Sequence, residues 1–195
     1  ASARARDPQP AAGAERYGIR FETISLEQGL SQTSVRCIVQ DRHGFLWLCT
    51  EEGLNRYDGS DFVVYRHDPD DPRTLADNFL TTALEDSAGY LWVGTAGHGV
   101  DRFDRDAGAF THFPPDSTGG PPAGAVLTLH EDRQGGIWVT TGLGVARYDA
   151  ASGTFSRLDQ VPNAPAALNA GVSAIYEGAD GALWFGTQEG LVEYA

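Results

Sequence analysis

The sequence predicts an all-β fold made of about four copies of one repeated unit, and three observations lead to this prediction. Tryptophan recurs every 45 or 46 residues, at Trp47, Trp92, Trp138 and Trp184. A glycine precedes each Trp by three positions, and an apolar run surrounds it. The 24 Gly and 10 Pro residues divide the rest into short apolar segments, as in strands joined by turns. Together these features indicate a β-propeller built from four-stranded antiparallel blades.

The first element of each unit is an apolar strand that ends in a turn. These strands are predicted at residues 35–41, 80–86, 126–132 and 172–178. Three of them end in an acidic residue, namely Asp41, Asp86 and Asp132, which we expect to accept hydrogen bonds from the amide groups of the turn. The glycine that closes each turn is expected to adopt a positive φ.

The second element is the strand that contains the tryptophan. Blades stack face to face around an axis, so both faces of their middle strands are buried. An aromatic side chain at this position fills the wedge between two neighbouring blades. The four Trp residues are therefore predicted to form the structural core of the repeat rather than a ligand platform.

The third and fourth strands complete each blade. Third strands are predicted at residues 54–58, 100–104, 145–149 and 191–194. The fourth strands carry an aromatic residue three positions before a second large apolar residue, as in Phe62 and Tyr65, Phe110 and Phe113, and Phe155 and Leu158. The predicted blades therefore span about residues 34–66, 79–113, 125–158 and 171–194, and the last one has no fourth strand.

The order of the strands raises the question of ring closure. Residues 19–24 reproduce the fourth-strand spacing ahead of the first blade, whereas residues 1–16 lack apolar periodicity and are predicted to be disordered. The repeats are therefore assigned to residues 17–195. Three arrangements fit: a closed four-bladed ring, two chains that complete a larger ring, or part of a larger propeller. We favour the last, because four blades are the lower limit of the architecture.

The charge balance restricts the class of partner. The formal net charge is −13, with 27 acidic residues against 14 basic ones. Phosphate backbones need clustered Lys and Arg, so no nucleic-acid partner is expected. No apolar run reaches the length of a membrane span, so any membrane contact is expected only through segments outside this sequence.

The two cysteines, Cys37 and Cys49, are predicted to face each other across the first hairpin. The equivalent positions of the other repeats hold only small residues. We expect two buried thiols there, while a cross-strand disulfide stays open because it needs an oxidising compartment and a suitable Cβ separation. Two thiolates alone do not make a metal site.

The repeated phrase Asp-x-x-Gly-x-Leu-Trp-x-Gly-Thr-x-x-Gly-Leu-x-x-Tyr-Asp resembles the two-component regulator propeller repeat, over about residues 17–195. Departures are Cys49 and Thr140 at a usual Gly position, Gly178 at the turn Asp, and one extra residue within 96–98. The resemblance implies the periplasmic sensor region of a hybrid histidine kinase or a related signalling protein. It also suggests a saccharide as one ligand class and a homodimer formed through the parent protein.

The candidate site lies in the loops that break the repeat symmetry. We found no catalytic or metal-binding motif, and no cofactor is expected. The loops between second and third strands, and the connections into first strands, are expected to share one rim, where ligands of propellers bind. The candidate ligand-binding residues there are Glu51, Glu52, Asn78, His98, Gln188 and Glu189.

The functional prediction is a ligand-sensing propeller without catalytic activity of its own. Two alternatives stay open. A propeller lyase or hydrolase would have to use Glu51, Glu52, His98 and Glu189, the acid–base groups that the rim offers. The other alternative is a structural dimerisation module.

Overall fold

A computed structural model describes residues 21–169 and 171–194 of the chain. Its fifteen described strands form four antiparallel sheets, here called blades 1 to 4. Blade 1 contains β1 (Cys37–Gln40), β2 (Leu46–Thr50), β3 (Gly53–Tyr57) and β4 (Phe62–Tyr65). Blade 2 contains β5 (Leu80–Glu85), β6 (Leu91–Thr95), β7 (Val100–Asp104) and β8 (Ala109–Phe113).

Blades 3 and 4 repeat the same strand order. Blade 3 contains β9 (Val126–Glu131), β10 (Ile137–Thr141), β11 (Gly144–Asp149) and β12 (Thr154–Arg157). Blade 4 contains β13 (Val172–Glu177), β14 (Leu183–Thr187) and β15 (Gly190–Tyr194). In each sheet, strands that are neighbours in sequence are also neighbours in space. Short 3-10 helices at Leu26–Gln28, Leu158–Gln160 and Ala166–Asn169 are the only helices of the described residues. The all-β prediction with four-stranded antiparallel blades is confirmed.

The apolar core consists of layers between successive blades. One layer joins Trp47 and Leu54 of blade 1 to Leu80, Leu91 and Phe103 of blade 2. Equivalent layers lie between blades 2 and 3 and between blades 3 and 4. First strands stack in the order β1, β5, β9, β13. That the chain forms part of a larger propeller stays a prediction.

Three of the four tryptophans are buried by the blade that follows them. The ring of Trp47 lies 5.7 Å from Phe103, that of Trp92 lies 4.8 Å from Tyr148, and that of Trp138 lies 5.6 Å from Phe185. These three indoles are 1%, 1% and 2% exposed, respectively. Trp184 is only half-buried. In blades 1 to 3, each indole therefore lies in the wedge-shaped space between its own sheet and the sheet of the next blade.

The turn aspartates do more than satisfy turn amides. Asp41 Oδ1 accepts hydrogen bonds from the backbone N–H groups of His43 and Phe45, as predicted. Its Oδ2 accepts a bond of 2.7 Å from Trp47 Nε1, and the pairs Asp86–Trp92 and Asp132–Trp138 show the same distance. The constant spacing of six residues between Asp and Trp is the sequence signal of this pair. Blade 4 lacks this Asp–Trp pair because Gly178 stands at the Asp position.

The predicted positive φ of the turn glycines is confirmed. The strand predicted at residues 19–24, ahead of blade 1, is wrong for residues 21–24. Gly44, Gly89, Gly135 and Gly181 have φ values of 89°, 97°, 81° and 88°. Of the predicted strand 19–24, residues 19 and 20 lie outside the described residues, as does the predicted disordered segment 1–16. Residues 21–24 form no strand because they make no ladder pairing, and the backbone then enters the 3-10 helix capped by Ser25.

Candidate functional site

The loops between second and third strands and the connections into first strands lie on one rim, here called the loop rim. Backbone hydrogen bonds join them: Gly53 N–H donates to the carbonyl of Asn78 at 2.9 Å, and Ala96 N–H donates to that of Phe79 at 3.0 Å. A bond of 3.1 Å from Gly171 N–H to the Gly142 carbonyl joins the loops of blades 3 and 4. The loops of blades 1 and 3 are thus held against the connection into the next blade, and the loop of blade 2 is held against the connection into its own first strand.

A threonine fixes the backbone of every loop. The hydroxyl of the Thr three residues after each Trp donates to the carbonyl of the glycine that opens the third strand, and it accepts a loop N–H. The four Thr–Gly pairs are Thr50 with Gly53, Thr95 with Gly99, Thr141 with Gly144, and Thr187 with Gly190. Side chains in the loops therefore project from a backbone that hydrogen bonds hold in place.

A group of charged side chains lies on the loop rim between blades 1 and 2. Glu51 forms an ion pair with Arg36, whose guanidinium lies 5.4 Å from the ring centre of Phe79. Next to it, Asp77 Oδ2 lies 3.0 Å from His98 Nδ1. Phe79 is 37% exposed. We call this group of five residues the rim patch.

Sequence reasoning found only Glu51 and His98 of the rim patch. Arg36, Asp77 and Phe79 were missed, although each lies within two residues of the start of β1 or within three of the start of β5. Their position just before a first strand recurs in every repeat, and this position could have identified them as rim residues. Their contacts depend on how far each side chain reaches, within a blade for the pairs with Glu51 and His98 and between blades for Arg36 and Phe79, which no local pattern indicates.

The remaining candidate residues are placed in different ways. Asn78 is a positioning residue: its side-chain oxygen accepts the His67 N–H at 2.8 Å, and its side chain is half-buried. Glu52 is exposed, with its N–H bonded to Thr50. Gln188 and Glu189 are exposed in the loop of blade 4, and the described contacts do not join them to the rim patch. The structure thus brings Glu51, Asn78 and His98 together, and the binding role of all six stays a prediction.

A buried carboxylate anchors the connection that leads to the rim patch. Asp101 is fully buried and accepts the Ala76 N–H at 2.8 Å and His112 Nδ1 at 2.7 Å. His112 Nε2 lies 2.8 Å from the carbonyl of Pro72. The bond to Asp101 raises the pKa of His112 above its usual range, against the effect of burial. Because both ring nitrogens have partners, this dyad has no nitrogen left for a substrate.

The cysteines occupy opposite positions on β1 and β2. Cys37 and Cys49 are paired in the register of the hairpin, and both are free thiols. Cys49 is fully buried, whereas Cys37 is half-buried. The hydrogen bond between the thiols lowers the pKa of Cys37 and raises that of Cys49, which burial raises further.

Within the described residues, no group of three or more His, Cys, Asp or Glu side chains is arranged to hold a metal ion. None of the helices found there has the length and apolar character needed to cross a bilayer.

Comparison with known proteins identifies the repeats. Residues 29–52, 74–97, 120–142 and 168–189 match the family model described as two component regulator propeller. Histidine kinase P4 of Formosa agariphila is 43% identical over 56 residues, which are 29% of this chain and 4% of that protein.

Solved structures agree with this match. The extracellular domain of a B. thetaiotaomicron protein described as a hybrid two component system is 29% identical, with a TM-score of 0.77. The alignment covers 89% of this chain and 25% of that one. Virginiamycin B lyase from Staphylococcus aureus, at 20% identity and a TM-score of 0.58 over 82% of this chain and 55% of the lyase, shares the fold alone. The β-propeller prediction is confirmed, and the chain spans about a quarter of the two-component structure.

Proposed function

Because this chain carries four repeats of the two-component regulator propeller family, we propose that it senses a ligand outside the cytoplasm through its loop rim. The proposed location, periplasmic or otherwise extracytoplasmic, is supported by the extracellular domain of the B. thetaiotaomicron system that it resembles. The output would belong to other parts of a longer signalling protein. The repeats themselves act as the scaffold that holds the loops.

The rim patch is the observation that carries this proposal. It combines two carboxylates, an imidazole, a guanidinium and a partly exposed aromatic ring within neighbouring loops. Hydrogen bonds from Thr50 and Thr95 hold those loops, so little ordering is needed when a ligand binds. Such a surface suits a polar small molecule with several hydroxyl groups, a class that includes saccharides.

A binding role explains the rim patch better than catalysis. Glu51 forms an ion pair with Arg36, and Asp77 contacts the His98 ring on the same rim. General acid–base catalysis needs a group with a free lone pair or proton aimed at the substrate. The likeness to a lyase concerns the fold and does not supply such a group. We therefore propose no enzymatic activity for this region.

The partners follow from the same surface. A strongly acidic chain does not attract nucleic acid, so a small molecule is the proposed ligand. A homodimer would form through the parent protein. Membrane attachment would belong to segments outside this sequence.

Binding of candidate ligands to rim-patch variants tests the proposal. Isothermal titration against a panel of hydroxylated compounds, including oligosaccharides, should find at least one ligand. The pair Glu51→Gln and His98→Ala should weaken its binding by at least tenfold, equivalent to about 1.4 kcal/mol. His43→Ala, an exposed residue of a turn at the other ends of the strands, is the matched control and should leave binding unchanged.

Two outcomes would contradict this function. The first is a panel without any ligand, which would favour a structural module with a constant dimer by size exclusion. The second is turnover of a panel compound that His98→Ala abolishes, which would establish the enzyme alternative instead.

A further inference from the structure

The two cysteines occupy one of four equivalent pairs of positions on first and second strands. The other three pairs face each other in the same register, and they are Thr82 with Gly94, Thr128 with Thr140, and Ala174 with Gly186. Packing of the repeat therefore requires small residues there, but it does not require a thiol. The chain contains only these two cysteines, yet they face each other across a single hairpin. This placement is the one that a bond between the two sulfurs needs.

The backbone at these positions has the separation of a disulfide. Directly opposite residues of antiparallel strands have their Cα atoms about 4.5–5.5 Å apart, within the range of about 4.4–6.8 Å found for disulfides. The equivalent pair of blade 4 gives the separation of the Cβ atoms, because a Cβ on Gly186 would lie 3.4 Å from that of Ala174. Disulfides have Cβ atoms about 3.5–4.5 Å apart, so the pair of positions lies at the close end of that range.

The two thiols already interact in the reduced hairpin, and they differ in reactivity. A hydrogen bond joins the thiols, and the backbone N–H groups of Cys49 and Ala83 also donate to the sulfur of Cys37. These bonds lower the pKa of Cys37, whereas the bond between the thiols and burial raise that of Cys49. Cys37 is half-buried and Cys49 is fully buried. Cys37 is therefore the thiol that ionises first, and it is also the more exposed of the two.

We propose that Cys37 and Cys49 are a redox-active pair that a small organic disulfide, RSSR, converts into a cross-strand disulfide. The thiolate of Cys37 attacks one sulfur of the oxidant and releases the first RS⁻. The thiol of Cys49 then loses its proton, and its sulfur attacks that of Cys37 and displaces the second RS⁻. The protein thus loses two electrons and two protons, and the oxidant is reduced to two molecules of RSH.

The bond would fasten the end of the hairpin that carries part of the rim patch. Arg36 directly precedes Cys37, and its N–H donates to the carbonyl of Cys49 at 2.8 Å. Glu51, which forms the ion pair with Arg36, lies just beyond Cys49 on the same loop. An oxidising compartment favours disulfides, in agreement with the proposed extracytoplasmic location. The pairing itself rests on the hairpin alone, so it does not depend on the proposed function.

Reaction of the folded, reduced protein with oxidised glutathione tests the proposal. Mass spectrometry should show the loss of two hydrogen atoms, and a peptide map should show Cys37 joined to Cys49. Cys49→Ala should stop at a mixed disulfide, with one glutathione on Cys37, because the second thiol is missing. Cys37→Ala should stay unmodified, since Cys49 is fully buried. Should Cys49→Ala not fold, Cys49→Thr replaces it, because blade 3 holds Thr140 at this position.

A matched control moves one thiol to the other face of β1. Neighbouring residues of a strand point to opposite faces, so Cys37→Ala combined with Ile38→Cys keeps two thiols in the hairpin but separates them. Ile38 pairs with Leu48 and not with Cys49. This variant should form no internal disulfide under the same conditions. Two unreacted thiols in the oxidised wild type, or an internal disulfide of equal yield in the control, would overturn the proposal.

Thermal unfolding shows whether the bond fits the native hairpin. Because a disulfide restricts the unfolded chain, the oxidised wild type should melt about 4–10 °C above the reduced protein. Reduction by dithiothreitol should abolish this difference, and Cys49→Ala should show none. An equal or lower melting temperature after oxidation would mean that the bond distorts the strands, and the proposed fit of the pair to a disulfide would be wrong.

Discussion

Blades 3 and 4 carry the same Trp phrase, yet their tryptophans have different surroundings. Trp138 is 2% exposed, donates to Asp132 and lies 5.6 Å from the guanidinium of Arg147. Trp184 is half-buried, and its blade has Gly178 and Glu193 at the positions of those two partners. The period therefore identifies the repeat, whereas burial of the indole depends on the turn residue and on the next sheet.

A second residue of blade 4 shows the same dependence of burial on the next sheet. Leu191 is 67% exposed, while its counterparts Leu54, Val100 and Val145 are 0% to 1% exposed. Those three are covered by the blade that follows each of them. A residue type fixed by the repeat is thus stabilising only where a following blade covers it.

Truncation of the two tryptophans should produce the largest difference between these blades. Trp138→Ala removes a fully buried aromatic side chain and should lower the free energy of unfolding by about 3–5 kcal/mol. Trp184→Ala should lower it by less than half as much, because the indole loses fewer contacts. Urea unfolding followed by circular dichroism measures both. Equal losses would show that burial by the next blade does not set the contribution of the indole.

The repeat architecture could be predicted from the sequence because its signal occurs four times. The Trp phrase, the turn glycines and the third-strand aromatics each recur in phase, and the strands follow them closely. Residues 19–24 show the limit of this reasoning. A single aromatic-x-x-apolar spacing predicted a strand, but a strand also needs a partner strand, and residues 21–24 pair with no strand in the described residues.

The candidate site was less accessible to sequence reasoning because its contacts join residues that are far apart in the sequence. The loop rim was located from the order of the strands alone. Arg36 and Glu51, however, are fifteen residues apart, and Asp77 and His98 are twenty-one apart, so no local pattern relates them. Asn78 was selected for its polarity, yet its side chain bonds to the backbone of His67.

Blade 2 should contribute a pH dependence of stability that blade 4 lacks. The position of Asp101 in blade 2 holds Val192 in blade 4, so the Asp101–His112 pair has no equivalent there. The bond to Asp101 raises the pKa of folded His112 above the ordinary histidine value of 6.5. Its stabilisation is thus fully present below pH 6.5 and is lost as the pH rises through the raised value.

His112→Gln should remove that part of the pH dependence. The measurement is the urea midpoint of wild type and variant between about pH 5 and pH 9, where the wild type should lose stability with rising pH more steeply. His98→Gln is the control, since that exposed residue pairs with a partly exposed carboxylate. Parallel pH profiles for wild type and His112→Gln would contradict the charged pair.

The smallest expected effect is a gain, obtained by giving blade 4 the turn residue of the other blades. A Cβ on Gly178 would lie 3.5 Å from Trp184 Nε1, and its closest contact, 2.5 Å, is with the movable carboxylate of Asp180. Gly178→Asp should therefore place an acceptor on the indole and raise the free energy of unfolding by about 0.5–1.5 kcal/mol. Gly178→Ala separates this bond from the backbone effect of removing a glycine, which alone stabilises by about 0.4–1 kcal/mol. In a Trp184→Phe background, which lacks the N–H donor, the advantage of Asp over Ala should disappear. If Asp keeps its advantage there, the Asp–Trp bond is not what distinguishes the first three blades from the fourth.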